Sequence, residues 1–376
     1  MDQLPTVQPH SPIMAVLTEI EYESGMEPSF GSIHDFCLEL QELFTSSGWF
    51  FYVFSLKGVT KDGITGLYRD GSRWTKSKMP FPDIVYNRIH SRRSESSQIF
   101  IDFVEKMNEA SIPVFNRRFL NKWEVHQWLN SRKNLQRFLP ESCVYSRNSL
   151  QRMAASHEVL FLKPVNGSRG RDIMRIQSQD STCDVSLSSR NGIESLNTCQ
   201  KEDLPAILKR YLKKQLYLLQ QGLPLLKMDN RSVDFRILCN RSSKYDWRVT
   251  STVARLSAQG HFAANLAAGG DTIHPLRVLR HFFGEAQSTS KLDMIRELAL
   301  EAANCTADSS EELFGELGID VGVDDNGHPW IIEVNSKPSK NDHIGKSSCR
   351  PSAKAILEYA QILLSETNPP EKGGSR

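Results

Sequence analysis

The sequence has almost no charge imbalance and no long apolar run. Its 46 Lys and Arg face 44 Asp and Glu, a net of +2 over 376 residues. A chain so balanced presents no electrostatic case for nucleic acid or for an anionic membrane surface. Its apolar stretches fall far short of the ~20 residues that span a bilayer. The segment MDQLPTVQPHSPIMAVLTEI lacks the basic start and long apolar core of a signal peptide. Cysteine is sparse and scattered: seven residues (Cys37, Cys143, Cys183, Cys199, Cys239, Cys305, Cys349), with no CxxC pair. That excludes an obvious disulfide framework or zinc knuckle and points to reduced thiols in a cytoplasmic protein. The ten histidines show no HExxH spacing. There is no Ser-His-Asp arrangement, no Walker A lysine and no internal repeat.

What is present is an ordinary globular composition, long enough for two or three domains. Residues 1–11 read as a loose leader and 368–376 as a frayed tail. Between them, strands alternate with helices: a buried strand at 12–17, a helix at 34–45, strands at 49–56 and 83–87, a hairpin at 63–74, a helix at 98–110 and a strand at 112–115. This alternation predicts an α/β domain with a mainly parallel sheet. A second region opens with Asn121 capping a helix at 122–131. Two strands (158–164 and 172–176), a polar Ser/Asn-rich hairpin, a helix at 201–213 and a returning strand at 215–221 make a small α+β unit.

The stretch GIDVGVDDNGHPWIIEVNSKP (318–338) places Asp320, Glu333 and Asn335 in an otherwise apolar hairpin. Asn326-Gly327 predicts a two-residue type I′ turn, since both central residues need positive φ. Asp325 then faces His328, and Asp320 lies opposite Glu333, with Cβ atoms roughly 5 Å apart. Asn335 shares their face by the period of two. Two carboxylates so close repel. A hard divalent cation with oxygen ligands, Mg²⁺ above all, resolves this. The plain alternative is an exposed hairpin with a solvated charged face.

Other residues bear on the same chemistry. Asn166-Gly167-Ser168-Arg169-Gly170 links two strands; glycines let backbone N–H groups approach an anion closely. Otherwise it is an ordinary glycine hairpin. Lys163 ends a run as apolar as Val-Leu-Phe-Leu, where a lysine needs a partner such as phosphate or must snorkel from an edge. Gln220-Gln221-Gly222 ends a strand whose backbone could meet an adenine edge. Asp234 and Arg236 share a strand face, as a surface ion pair or as a clamp for phosphate or carboxylate.

Taken in order, these segments resemble the ATP-grasp superfamily. The match is specific to its YheC/YheD branch, called endospore coat-associated in spore-forming bacteria. It rests on PFPDIVYNRI (80–89), FNRRFLNKWEVHQWL (115–129), FLKPVNGSRGRDI (161–173), LLQQGLPL (218–225), VDFRIL (233–238) and GID…IIEVNSKP. The chain departs from the pattern after Arg236, where ILCNRSSKYDW stands in place of a lysine and a glycine turn.

The resemblance implies an α/β pre-ATP-grasp domain (12–118), then an ATP-grasp domain (119–365) with a small α+β lid at about 150–222 and a larger sheet carrying the metal hairpin. Residues 366–376 would form a flexible tail. It implies ATP and two Mg²⁺ ions. Lys122 and Lys163 would hold the nucleotide. Gly167, Ser168, Arg169 and Gly170 would form the flap, and Gln220, Gln221 and Gly222 the adenine pocket. Asp320, Glu333 and Asn335 would be the metal ligands, with Glu333 bridging. Arg236, Arg255, Asn265 and Lys337 would meet the γ-phosphate and the substrate carboxylate. The implied activity is an ATP-dependent carboxylate–amine (or thiol) ligase working through an acyl phosphate. The alternatives are a non-catalytic or ATP-binding spore coat-associated structural or interaction protein and a kinase that stops at phosphoryl transfer. The implied partners are the nucleotide and unnamed carboxylate and amine substrates, with association to the spore coat.

Overall fold

The computed structural model describes residues 10–167, 170, 172–189, 192–258, 269–340 and 349–367. The elements of the first sheet are β1 (Ile13–Leu17), α1 (His34–Ser46), β2 (Phe50–Thr60), β3 (Gly63–Asp70), β4 (Arg73–Met79), β5 (Ile84–Asn87), α2 (Arg92–Glu95), α3 (Gln98–Glu109) and β6 (Val114–Phe115). The sheet order is β4-β3-β2-β1-β5-β6. Strands β2, β1, β5 and β6 run parallel, and β3 and β4 add an antiparallel edge. β1 is central and apolar throughout because both of its faces are covered. Met14 and Val16 pack in the core with Phe36 and Leu40 of α1, while Ala15 and Leu17 pack with Phe100 and Phe103 of α3. The expected hairpin at 63–74 is longer than its turn signal suggested, with Gly71 (φ 60) at the bend.

The second unit contains α4 (Lys122–Ser131), α5 (Lys133–Gln136), β7 (Ser142–Val144), α6 (Arg147–Ser156), β8 (Val159–Pro164), β9 (Ile173–Gln179), β10 (Thr182–Ser189), β11 (Gly192–Gln200), α7 (Leu204–Tyr211) and β12 (Tyr217–Gln221). Asn121 caps α4 as its sequence position predicts, its side-chain oxygen accepting from the Trp123 and Glu124 N–H groups at 2.9 and 3.2 Å. The strands form an antiparallel sheet in the order β11-β10-β9-β8-β12-β7. Its own small core gathers Leu150 and Met153 of α6 and Leu204 and Leu208 of α7 beneath Leu162, Ile176 and Leu219.

The third unit contains β13 (Lys227–Met228), β14 (Arg231–Arg241), β15 (Trp247–Leu256), β16 (Asp271–Ile273), α8 (Pro275–Ser310), β17 (Glu316–Val323), β18 (Pro329–Asn335) and α9 (Pro351–Thr367). Its order is β16-β15-β14-β17-β18, with β13 paired to β14. α8, bent at Gly284 (φ 73), lines one face with Leu292, Ile295, Ala299 and Ala303 against Phe235, Ile237, Ile319 and Val321.

α9 returns to the first sheet. Ala353, Ile356, Tyr359, Ala360 and Leu363 share a core with Phe36, Phe51 and Phe115. The first and third sheets are also joined by a buried ionic knot. Glu316, fully buried, accepts from Arg88 Nη1 at 2.7 Å, from the Tyr86 hydroxyl and from Lys340. Arg88 Nη2 also reaches the Pro338 carbonyl at 2.9 Å. The segment after β18 is therefore pinned to the end of β5.

Candidate functional site

The β17–β18 hairpin places Asp320 opposite Glu333, as the turn rule predicts, but by a different route. The loop is three residues long. The Asp324 N–H donates to the His328 carbonyl at 3.0 Å, and the Gly327 N–H to the Asp324 carbonyl at 2.8 Å. Of Asn326 and Gly327 only Gly327 takes positive φ (78), so the turn is not type I′. The Asp324 carboxylate shapes it instead, accepting from the Asn326 and His328 N–H groups at 3.0 and 2.9 Å and from Trp330 Nε1 at 2.9 Å. Pairing near the loop is thus one residue out of the expected register. A β-bulge at Ile332 restores it between Val321 and Asp320. The two-residue loop with both φ positive occurs elsewhere, at Asp229-Asn230 between β13 and β14.

On the same sheet Arg236 pairs with Asp320, Asp320 with Glu333, and Gly318 with Asn335. One face therefore carries a row across β14, β17 and β18. Asp234 and Arg236 share that face but do not bind each other. Each is claimed by its cross-strand neighbour. Arg236 grips Asp320 through Nε and Nη2, and Arg255 grips Asp234 at 2.7 and 2.8 Å. Arg255 Nη2 also lies 3.1 Å from Asp320, and the Asn335 amide donates to Asp320 at 3.3 Å. The result is a buried alternation of Arg236, Asp320, Arg255 and Asp234. Burial pushes the Asp320 carboxyl up, but Arg236 and Arg255 outweigh it and the net shift is downward. Asp234 goes the other way, to about 6, because burial exceeds the pull of Arg255.

Glu333 is bound from the second unit's side, where the ammonium of Lys122 at the start of α4 forms its ion pair. The Lys122 N–H donates to the Val165 carbonyl at 3.2 Å, tying α4 to the end of β8. Lys163, on β8, donates to the Gln220 side-chain oxygen at 2.5 Å, and the Gln220 amide donates to Ser142 at 3.0 Å. The Gln221 and Gly222 N–H groups are spent inside the sheet, on the carbonyls of Glu141 (2.9 Å) and Val159 (2.7 Å). Gly222 is required by close approach: a Cβ there would lie 2.6 Å from Val159 Cβ. The Gly167 N–H closes on the Pro164 carbonyl at 3.0 Å, and Gly170 takes φ +67. Ser168, Arg169 and Asn265 lie outside the described residues.

Lys337 lies apart from this charge row. Its ammonium binds Glu95 and the Ile89 carbonyl (3.2 Å) and sits 4.8 Å above the Phe119 ring. Its reach toward the phosphate region, expected from sequence, is taken up by an ion pair with α2. Glu95 precedes α3 in an unremarkable SRRSESS run and carried no signal. Ile332 was likewise missed. The bulge sets it beside Glu333, and it nears Leu225 around Gly322. A bulge leaves no mark in an alternating sequence.

Lys163 is pushed down to about 8, first by burial and then by Lys122, with Glu333 opposing. An anion docking beside it restores the proton. Binding of a phosphate ligand is therefore expected to take up a proton at about pH 8, and affinity is expected to weaken as the pH rises further. Calorimetry in buffers of different ionisation enthalpy reads the uptake directly. Zero uptake there would remove Lys163 from the phosphate site.

The YheC/D-like ATP-grasp family profile matches residues 111–363. The chain belongs to this family. It is 27% identical over 367 residues to the endospore coat-associated protein YheD of Bacillus subtilis (strain 168), covering 94% of this chain and 79% of that protein. It is 23% identical over 274 residues to YheC of the same organism, covering 72% and 74%. Among solved structures, the VanG D-Ala:D-Ser ligase from Enterococcus faecalis superposes with a TM-score of 0.53 at 12% identity, covering 94% of this chain and 100% of that one. D-alanyl-alanine synthetase A from Vibrio cholerae gives 0.51 at 14%, covering 95% and 99%. These neighbours establish the fold: an N-terminal α/β domain followed by an ATP-grasp domain. The antiparallel second sheet and the sheet bearing the β17–β18 hairpin are its two halves.

ATP-grasp enzymes as a class use ATP with Mg²⁺. Among the described residues no three His, Cys, Asp or Glu side chains converge on one point. The donor set Asp320, Glu333 and Asn335 nonetheless has hard-oxygen chemistry. A carboxylate has about four lone-pair sites; Arg236, Arg255 and the Asn335 amide crowd Asp320 Oδ2, while Oδ1 meets Arg236 Nε, so a metal would take the open side of Oδ1. Each carboxylate meanwhile carries a protein cation: Arg236 and Arg255 on Asp320, Lys122 on Glu333.

Proposed function

We propose that the protein is an ATP- and Mg²⁺-dependent ligase that joins a carboxylate to an amine or thiol through an acyl phosphate. One observation carries this reading. Lysines anchored to the second unit, Lys122 and Lys163, face the Asp320–Glu333–Asn335 row of the third sheet, with Lys122 already on Glu333. A nucleotide's phosphates are the natural partner for lysines set against oxygen ligands that hold a metal.

In this reading Lys163 and Lys122 hold the phosphates, and the 167–170 segment covers them. Ile332 and Leu225 offer apolar contact near the end of β12, where the base would lie. Arg236 and Arg255 are held rigid by Asp320 and Asp234, so they face the γ-phosphate and the attacking carboxylate without reorganising. Asn265 joins them. Asp320, Glu333 and Asn335 would hold Mg²⁺, which when bound neutralises phosphate charge and aligns the transferring group. The substrate carboxylate attacks the γ-phosphorus, ADP leaves, and an amine or thiol displaces phosphate from the acyl phosphate. No side chain forms a covalent intermediate, in keeping with the missing nucleophile motifs.

A second reading has its own support. YheD and YheC are named as endospore coat-associated proteins, and every carboxylate of the site is countercharged without a ligand. A non-catalytic, coat-associated member would look the same. Calorimetric titration with ATP in Mg²⁺ and in EDTA separates the two. Mg²⁺-dependent binding, followed by release of ADP and free phosphate with a carboxylate–amine pair, is the expected result. ADP with a phosphorylated acceptor would make it a kinase, and no binding under either condition would leave the coat-associated reading.

A further inference from the structure

Resting on the ligase reading, we propose that Arg92 of the N-terminal domain binds a carboxylate of the substrate other than the one that reacts. Arg92 opens α2, beside the segment that leads into α4. Its Nη2 donates to the Leu120 carbonyl at 2.7 Å, two residues before Lys122. Its guanidinium lies 4.8 Å from the centre of the Phe119 ring. Its Nε is buried and has no hydrogen-bond partner among the described residues. So the group is fixed on one edge and one face, and an N–H donor is left over.

The surrounding charges account for themselves. Lys122 is on Glu333, and Lys337 is on Glu95. Arg118 bridges Glu124 (2.8 Å) and Glu312 (3.4 Å). Among the described residues no carboxylate lies within ion-pair distance of Arg92. Burial lowers its pKa while Glu333 and Glu95 pull it up, which places it within electrostatic reach of the Glu333 end of the site. A half-buried guanidinium without a counter-ion is costly unless something supplies one. A planar fork with a free N–H edge is matched to a carboxylate. The reacting carboxylate is already provided for by Arg236 and Arg255, so the group at Arg92 is a second one. It belongs either to an amino-acid acceptor or to the far end of a dicarboxylate donor.

The test uses full-length protein loaded with Mg²⁺ and a non-hydrolysable ATP analogue. Calorimetry compares α-amino acids with their amides, and dicarboxylic acids with their monomethyl esters. Failure of the analogue to bind speaks against the ligase reading itself. With the analogue bound, one acid of either series is expected to bind about 10- to 100-fold tighter than its neutral partner, the range of one charge-assisted contact. The series that shows it identifies the substrate. Arg92→Gln keeps a donor for the Leu120 carbonyl and removes the charge, so the acid-over-neutral ratio should fall toward one. Arg92→Lys should keep part of it. An unchanged ratio in Arg92→Gln, or no preference for acids in the parent, overturns the proposal.

Discussion

Asp320→Asn is expected to destabilise the protein by about 3–5 kcal/mol, the usual cost of breaking a buried ion pair from one side. Asp320 is buried and answers two guanidinium groups, Arg236 and Arg255, together with the Asn335 amide. Asparagine fits the space but leaves the two arginines to share one counter-charge, Asp234, which already belongs to Arg255. Urea unfolding of parent and variant measures the loss; a change below about 1 kcal/mol would mean that the cluster is solvated and only loosely coupled. The same cluster fixes two opposite acid responses. The folded pKa of Asp320 is depressed, so its contribution is present above the ordinary carboxylate pKa of about 4 and is lost as pH falls through the folded value. Asp234 is raised to about 6, so it favours the fold most below the ordinary value, and that contribution fades as pH climbs through 6.

Glu333→Ala is expected to do the reverse: little harm to the fold, and Mg²⁺-dependent ATP affinity lowered by about 100-fold or more, the scale of a lost metal contact. The Glu333 side chain is 32% exposed and, among the described residues, pairs only with Lys122 at the start of α4. Removing it relieves repulsion with Asp320 and frees Lys122 for phosphate. In EDTA the variant should therefore bind ATP at least as tightly as the parent does. Calorimetry in the two conditions gives both numbers. A variant that binds MgATP as tightly as the parent would take the metal away from this hairpin.

The sequence discloses what depends on neighbours along the chain. The cap at Asn121, the buried β1 and the facing of Asp320 and Glu333 follow from local rules. Even so, the last was reached through two compensating errors, a loop one residue longer than expected and a bulge at Ile332. The partners of Asp234 and Arg236 could not be read, because strand order decides them and β14 lies between β15 and β17. α8 is obscured by Gly284 and by the buried Ser288, which interrupt its apolar stripe. The Arg88–Glu316–Lys340 knot and the Lys337–Glu95 pair join residues far apart in sequence, and no periodicity marks such pairs. Lys337 meets Glu95 across 242 residues of sequence, which no local pattern discloses.

The return of α9 to the first sheet has a consequence for how the chain is made. The first sheet leaves the ribosome long before α9 exists, with Phe36, Phe51 and Phe115 lacking the helix that completes their core. Early strands must wait, partly uncovered, until the whole nucleotide-binding region has been synthesised. Such late closure between distant segments slows folding and exposes apolar surface meanwhile. The first sheet is thus translated before the helix that completes it and is among the last parts of this region to be finished.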